Sequence, residues 1–289
     1  MAFNQDHFKN IVSRNGFVRK FYETLKTGTY EGIIDRIFVT GVTSMTLDSL
    51  TSGFNIGANL TLEAELGHML GFTEEEVKEM IAILNPEAPI EELIRDMRYY
   101  YNGYHFAGNP AERVYNPDMV LYFLKHYQRH QNYPEQILDV NIASDYGKIR
   151  RLFKLRNPEQ NNEILQKIVS LGAISGNITA QFSFEKEFEE DDFLSLLFYM
   201  GYLTIQGEVV GLKKFVVPNY VIRKLFIEYF AFLLREQEQI PYKASEVKEA
   251  LIEMAMQGNP APFFKSSAKS CAISPTGITA TLTKNTSNS

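Results

Sequence analysis

The stretch "RIFVTGVTSMTLD", residues 36–48, decides how the chain is organised. Together with Ile33 and Ile34 it begins as a β-branched and aromatic run, and it ends in Thr40-Gly41-Val42-Thr43-Ser44. A near-continuous apolar run of this length predicts a strand over 34–40 in a sheet covered on both faces. Its terminal hydroxyls would stand at the carboxyl edge of that sheet, where ligands sit in open α/β folds. Thr40, Gly41, Thr43 and Ser44 are therefore the first candidate site. The same residues also suit plain turn chemistry, because Thr and Ser after a strand satisfy nearby backbone amides.

Upstream, "SRNGFVRKFYETLK" (13–26) places Phe17, Phe21, Tyr22 and Leu25 at helical spacing behind a possible Ser13 cap. The turn "TGTYEG" (27–32) then leads into the strand. Helix, turn and buried strand are half of a βαβ unit. Downstream, a loop-rich segment gives way to capped helices. In "FTEEEVKEMIAIL" (72–84), Thr73 and Glu76 form a capping-box pattern with acids in the first turn. A further helix, "APIEELIRDMRYYY" (88–101), runs into Asn102-Gly103, a tight-turn pair, so that "YYYNGYHF…RVYNP" reads as a small hairpin or chain reversal.

From Pro117 the pattern is mostly helical, over "PDMVLYFLKHY", "SDYGKIRRLFKL" and "NEILQKIVSLGAI", with one strand candidate in "NITAQFSF" (177–184). "DDFLSLLFYMGYLTI" and "EVVGLKKFVVPN" read as a helix followed by two short strands joined through Gln206-Gly207, and "YVIRKLFIEYFAFLLREQ" closes the set as a long helix. Helix, β-hairpin, helix is the order of a winged-helix-like module, although other helical packing would leave a similar pattern.

The 289 residues are 45% hydrophobic and 22% charged, with a formal charge of −6, the composition of a globular chain without sequence-wide attraction to nucleic acid. No secretory signal opens "MAFNQDHFKN", the apolar stretches are broken too soon to span a bilayer, and Cys271 stands alone. A cytoplasmic protein without membrane attachment is expected.

Chemistry-bearing motifs are sparse. The chain holds no Gly-x-x-x-x-Gly-Lys-Ser/Thr, no Gly-x-Gly-x-x-Gly, no His-Glu-x-x-His and no paired Cys. His126 and His130 have the i, i+4 spacing of a zinc pair, which a solvated helix end beside Arg129 explains equally well. Asp6, Asp35, Asp48 and Asp96 read as caps and solvated faces. Lys213, Lys214, Arg223 and Lys224 are the nucleic-acid candidates, and "RYYYNGY" could stack a base or pack over a turn.

Residues 16–81, with "RDMRYYYNGYHF" (95–106) and "VYNPDMVLYFL" (114–124), resemble a family of bacterial predicted AAA-ATPase-like proteins that carry a C-terminal PD-(D/E)XK nuclease-superfamily domain. The resemblance runs nearly continuously from about Gly16 to Lys265. It implies a mixed α/β, predominantly helical fold: a partial P-loop ATPase-like α/β core followed by a helical, winged-helix-like region. It further implies that residues 1–130 are the C-terminal part of an AAA-ATPase-like domain, 131–242 the winged-helix-like region, and 243–265 a linker helix towards a nuclease domain.

In that family the strand at 34–40 is the sensor strand, which makes Thr40, Gly41, Thr43 and Ser44 nucleotide-sensor residues by resemblance. The family's phosphate-binding Lys and magnesium-binding acids have no counterpart in these residues, nor do the nuclease acids. The expectation is a chain with no cofactor of its own, ATP and Mg²⁺ belonging to the full-length family, and no ATPase or nuclease activity alone. A separately encoded P-loop half is the expected partner. The alternative is a non-catalytic module that binds nucleic acid or protein through the winged-helix-like segment.

Residues 266–289, "SSAKSCAISPTGITATLTKNTSNS", contain no acidic and no aromatic residue and read as a disordered tail. Codon degeneracy permits Ser266–Asn288 to be read, one base out of register, as "VERKILRNLSNRDYSYFDEKYIK", which resembles the family's continuation. A frameshift near Lys265 is therefore expected. The coding DNA tests it: its bases should spell that peptide in the neighbouring frame, and bases that cannot spell it refute the frameshift.

Overall fold

The computed structural model describes residues 16–41, 56–107, 112–135, 140–180, 182 and 188–238. Ser13, Thr43, Ser44, Asp6, Asp48 and the segments 243–265 and 266–289 lie outside them. Eight helices and one small sheet are described, so the chain is mixed α/β and predominantly helical. In chain order they are α1 (Phe17–Tyr30), α2 (Glu74–Leu84), α3 (Ile90–Tyr101), α4 (Pro117–His130), α5 (Val140–Phe153), α6 (Pro158–Leu171), β1 (Ala173–Gly176), α7 (Glu190–Tyr199), β2 (Thr204–Val209), β3 (Leu212–Val216) and α8 (Tyr220–Glu238). One compact unit ends at Tyr229 and a second begins at Phe230, whose described residues are the C-terminal half of α8.

Helix boundaries follow local chemistry. The Thr73 hydroxyl accepts from the Glu76 amide at 3.3 Å while Glu76 accepts from the Thr73 amide at 2.8 Å, completing the expected capping box of α2. Asn116 and Asn157 cap α4 and α6, each followed by a proline at the first helical position, where the missing N–H costs nothing. Asn161, itself buried, donates to the carbonyls of Phe153 and Leu155 just past the end of α5.

α1 begins at Phe17 behind Gly16, later than the helix expected over 13–26, and ends in a glycine-closed turn. There Gly32 adopts φ +70°, its amide donates to Thr29 O, and the Ile33 amide donates to Gly28 O at 2.9 Å. The strand expected over 34–40 is not formed. Residues 33–41 are irregular, join no ladder among the described residues, and leave Ile33, Phe38 and Val39 exposed by 76%, 67% and 58%. Phe17 and Phe21, which the amphipathic pattern would bury, are exposed as well.

The sheet has the order β1-β3-β2, all antiparallel. It differs from the sequence reading in two places. The turn falls at Val210-Gly211, with φ of +53° and +81°, while Gly207 sits at a bulge inside β2. Of the strand expected in "NITAQFSF", residues 177–180 are not strand and 181, 183 and 184 lie outside the described residues, whereas a strand forms at Ala173–Gly176, and Asn177 and Thr179 are engaged by the start of α7. The Asn177 amide donates to Asp191 Oδ1 at 3.0 Å, and the Thr179 hydroxyl donates to Asp192 Oδ1 at 2.7 Å. The core between sheet and helices is aromatic, with Phe153 meeting Phe193 and Tyr229 at ring distances of 5.1 and 5.2 Å.

The expected chain reversal after α3 is present, but Asn102 and Gly103 lie in its first arm and not at its tip. Tyr104 and Val114 exchange backbone hydrogen bonds of 3.2 and 2.9 Å, and Phe72 pairs with Tyr115 beside them. Gly103 holds φ +106°, and a Cβ there would lie 2.0 Å from the carbonyl oxygen of Pro218. Gly103→Ala should lower unfolding stability by about 2 kcal/mol or more, through backbone strain and clash. Gly207→Ala, with open space around it and no positive φ, should cost no more than about 1 kcal/mol. Urea denaturation of both variants checks this, and equal midpoints would refute the close approach.

Candidate functional site

The residues singled out by the sequence do not converge on one centre. Thr40 and Gly41 are exposed on irregular backbone, and Thr43 and Ser44 lie outside the described residues. This arrangement does not fit a bound nucleotide. A phosphate site needs donors held rigidly in place, and Thr40 and Gly41, exposed on backbone that joins no ladder among the described residues, are not so held. Among the described residues no group of three or more His, Cys, Asp or Glu could hold a metal ion. The rings of His126 and His130 do meet, at 4.6 Å, with His126 Nε2 beside Asn132 Oδ1 at 3.1 Å.

The basic candidates are also dispersed. Lys213 and Lys214 are consecutive strand residues and so point to opposite faces of the hairpin. Lys213 meets Glu208 across the ladder at 2.8 Å. Lys224 pairs with Glu228 at 3.9 Å, and Arg223 leans beside Gly172 and Ile168 at the end of α6. Lys214 and Arg223 have no ion-pair partner among the described residues.

A dense polar construction lies in the segment after α3. The His105 amide donates to the Thr204 hydroxyl at 2.7 Å, and that hydroxyl donates back to His105 O at 3.0 Å. Asn219 Nδ2 donates to Asn102 O at 3.1 Å while Asn219 Oδ1 accepts from the Ile222 amide, so one side chain caps α8 and ties down the turn. Arg113 donates to Ile205 O at 2.9 Å, and burial draws its guanidinium below its ordinary value. The His105–Thr204, Asn219–Asn102 and Arg113–Ile205 contacts each join distant parts of the chain, which marks the segment as a structural hub.

Beside it, Glu74 at the start of α2 accepts two hydrogen bonds from Arg98, at 2.8 and 2.6 Å, and one from the Tyr115 hydroxyl at 3.1 Å. The Arg98 bonds hold the Glu74 carboxyl below its ordinary value of 4.5. Asp96 is likewise lowered, first by the Tyr133 hydroxyl, which donates to it at 2.8 Å.

What the sequence pattern could not reveal is the surface where α3 meets the start of α8. Tyr99 stacks on Tyr220 with ring centroids 5.2 Å apart, and Tyr100 meets Tyr220 edge-on at 5.8 Å. No periodicity links residues this far apart in the chain.

No family model matches the chain and no solved structure matches it. A curated protein of Azotobacter chroococcum mcd 1, described as an uncharacterized protein in the vnfD 5′ region, is 33% identical over 110 residues, 37% of this chain and 19% of that protein. The match therefore spans about a fifth of that relative's length.

The lowered carboxyls predict acid sensitivity. A carboxylate whose folded value is depressed stabilises the fold above its unfolded value, and that contribution is lost as pH falls through the folded value. Thermal midpoints should therefore drop below about pH 4.5, with a shallower drop in Glu74→Gln. Identical pH profiles for the two proteins would show that the Glu74–Arg98 pair contributes nothing, as many exposed pairs do.

Proposed function

We propose that this chain is a non-catalytic part of an AAA-ATPase-like, PD-(D/E)XK nuclease-family protein, whose residues 33–41 complete a P-loop core carried by a separately encoded polypeptide. The observation that carries the reading is the exposure of Ile33, Phe38 and Val39 on a segment with the sequence of an interior strand. Such a segment has backbone donors and acceptors on both edges and apolar side chains on both faces, all of which a neighbouring strand and covering helices would satisfy. Pairing there would bring Thr40 and Gly41 to the carboxyl edge of a sheet. The phosphate cradle and magnesium ligands would come from the partner, and no step of phosphoryl transfer falls to these residues alone.

A second reading, binding of nucleic acid without catalysis, is favoured by the antiparallel order β1-β3-β2 followed by α8, which suits a winged-helix-like module. Lys214 and Arg223 would then meet phosphates. The Glu partners of Lys213 and Lys224 and the net charge of −6 oppose broad electrostatic attraction.

The isolated chain should hydrolyse no ATP. It should co-purify with a P-loop polypeptide encoded beside it, and Phe38→Asp should abolish that association without altering the thermal midpoint, since Phe38 is already exposed. ATP turnover by the chain alone that falls on Thr40→Ala, or failure to associate with any neighbouring P-loop product, overturns the first reading. Duplex binding whose salt dependence flattens when the four basic residues become Ala supports the second.

A further inference from the structure

We infer that Tyr99 and Tyr220, with Arg223 and Lys224 one helical turn further along α8, form a stacking platform for single-stranded nucleic acid. This rests on the second reading above and narrows it from duplex to unpaired strands. Two features unrelated in the sequence, the aromatic run at the end of α3 and the basic pair of α8, are brought onto one surface by the fold. Tyr99 and Tyr220 lie in a stacked arrangement, their planes inclined by 29°. They keep 60% and 37% of their surface exposed, whereas Tyr101 and Tyr115, close by in the chain, are fully buried.

α8 shows why the basic groups share that surface. Val221, Ile222, Leu225 and Phe226 are buried, so Tyr220, Arg223 and Lys224 fall on the opposite, exposed stripe at i, i+3 and i+4. An aromatic pair with cations one turn away is the combination that binds single strands: unpaired bases stack on rings while phosphates meet Lys and Arg. A duplex keeps its base faces covered and offers such rings nothing to stack on.

The charges around the platform permit this. Arg223 has no acidic partner among the described residues, so a phosphate would supply one. Lys224 is held by Glu228 at 3.9 Å on an exposed surface, a weak pair that a phosphate can replace. The nearest acid on α3, Asp96, one turn before Tyr100, is occupied by Tyr133 and Arg95.

The test is fluorescence anisotropy of a labelled oligothymidylate of about 12 nucleotides, within the usual site size of single-strand binders, against a hairpin duplex of equal length, using the full chain at low salt. The single strand should bind more tightly than the duplex. Tyr99→Ala should weaken single-strand binding about tenfold, Tyr99→Phe should keep it, and Arg223→Ala with Lys224→Ala should weaken it and flatten its salt dependence. Circular dichroism should be unchanged in all of them, since these side chains are exposed. Equal affinity for duplex, or equal effects of Tyr99→Ala and Tyr99→Phe, overturns the platform. Duplex binding lost in Lys213→Ala and Lys214→Ala but indifferent to Tyr99 overturns the platform and leaves the second reading intact, whereas no binding to either probe overturns both.

Discussion

The closure of Asn102-Gly103 onto Pro218-Asn219 is the constraint on which the described structure turns. Gly103 approaches the Pro218 carbonyl so closely that no side chain fits, and Asn219 spans the gap by accepting from the first turn of α8 and donating to Asn102 O. A few residues on, His105 and Thr204 exchange hydrogen bonds in a buried setting, where an unmade bond is costly. The end of α3, the edge of the sheet and the start of α8 are therefore held in one arrangement. The Tyr99–Tyr220 stack is a direct consequence, since it exists only while these two helix ends stay together.

Around that junction the chain separates into well-satisfied and poorly satisfied parts. Helices α2, α4, α6 and α7 have capped starts, and α3, α4, α7 and β3 bury aromatic side chains. Residues 16–41 have a properly closed helix but no covering for Phe17, Phe21, Ile33 or Phe38. A contrast this local is hard to attribute to composition. It points to a segment that finds its neighbours outside the described residues, and it is why assembly, not chemistry, is the proposed role.

Much of the helical organisation was legible. Thr73 with Glu76 is a signal carried by adjacent residues, and α2 begins where it stands, as α4 begins at the expected Pro117; α6 begins at Pro158, ahead of the helix read from Asn162. The strands were less so. Val210-Gly211 makes the hairpin turn although a β-branched residue disfavours positive φ, whereas Gln206-Gly207, with equally open glycine chemistry, became a bulge. Likewise β1 falls before Asn177 because acids at the start of α7 capture the polar residues that follow.

By itself the sequence determined most of the helices and the capping box of α2, because each depends on bonds between residues close in the chain. It also determined that the apolar run at 33–39 is built for burial. Whether that run is buried, which way Lys213 and Lys214 face, and that Tyr99 meets Tyr220 were decided by the tertiary structure. Those outcomes depend on which distant surfaces come together, and sheet pairing and helix packing set that through contacts no local pattern encodes.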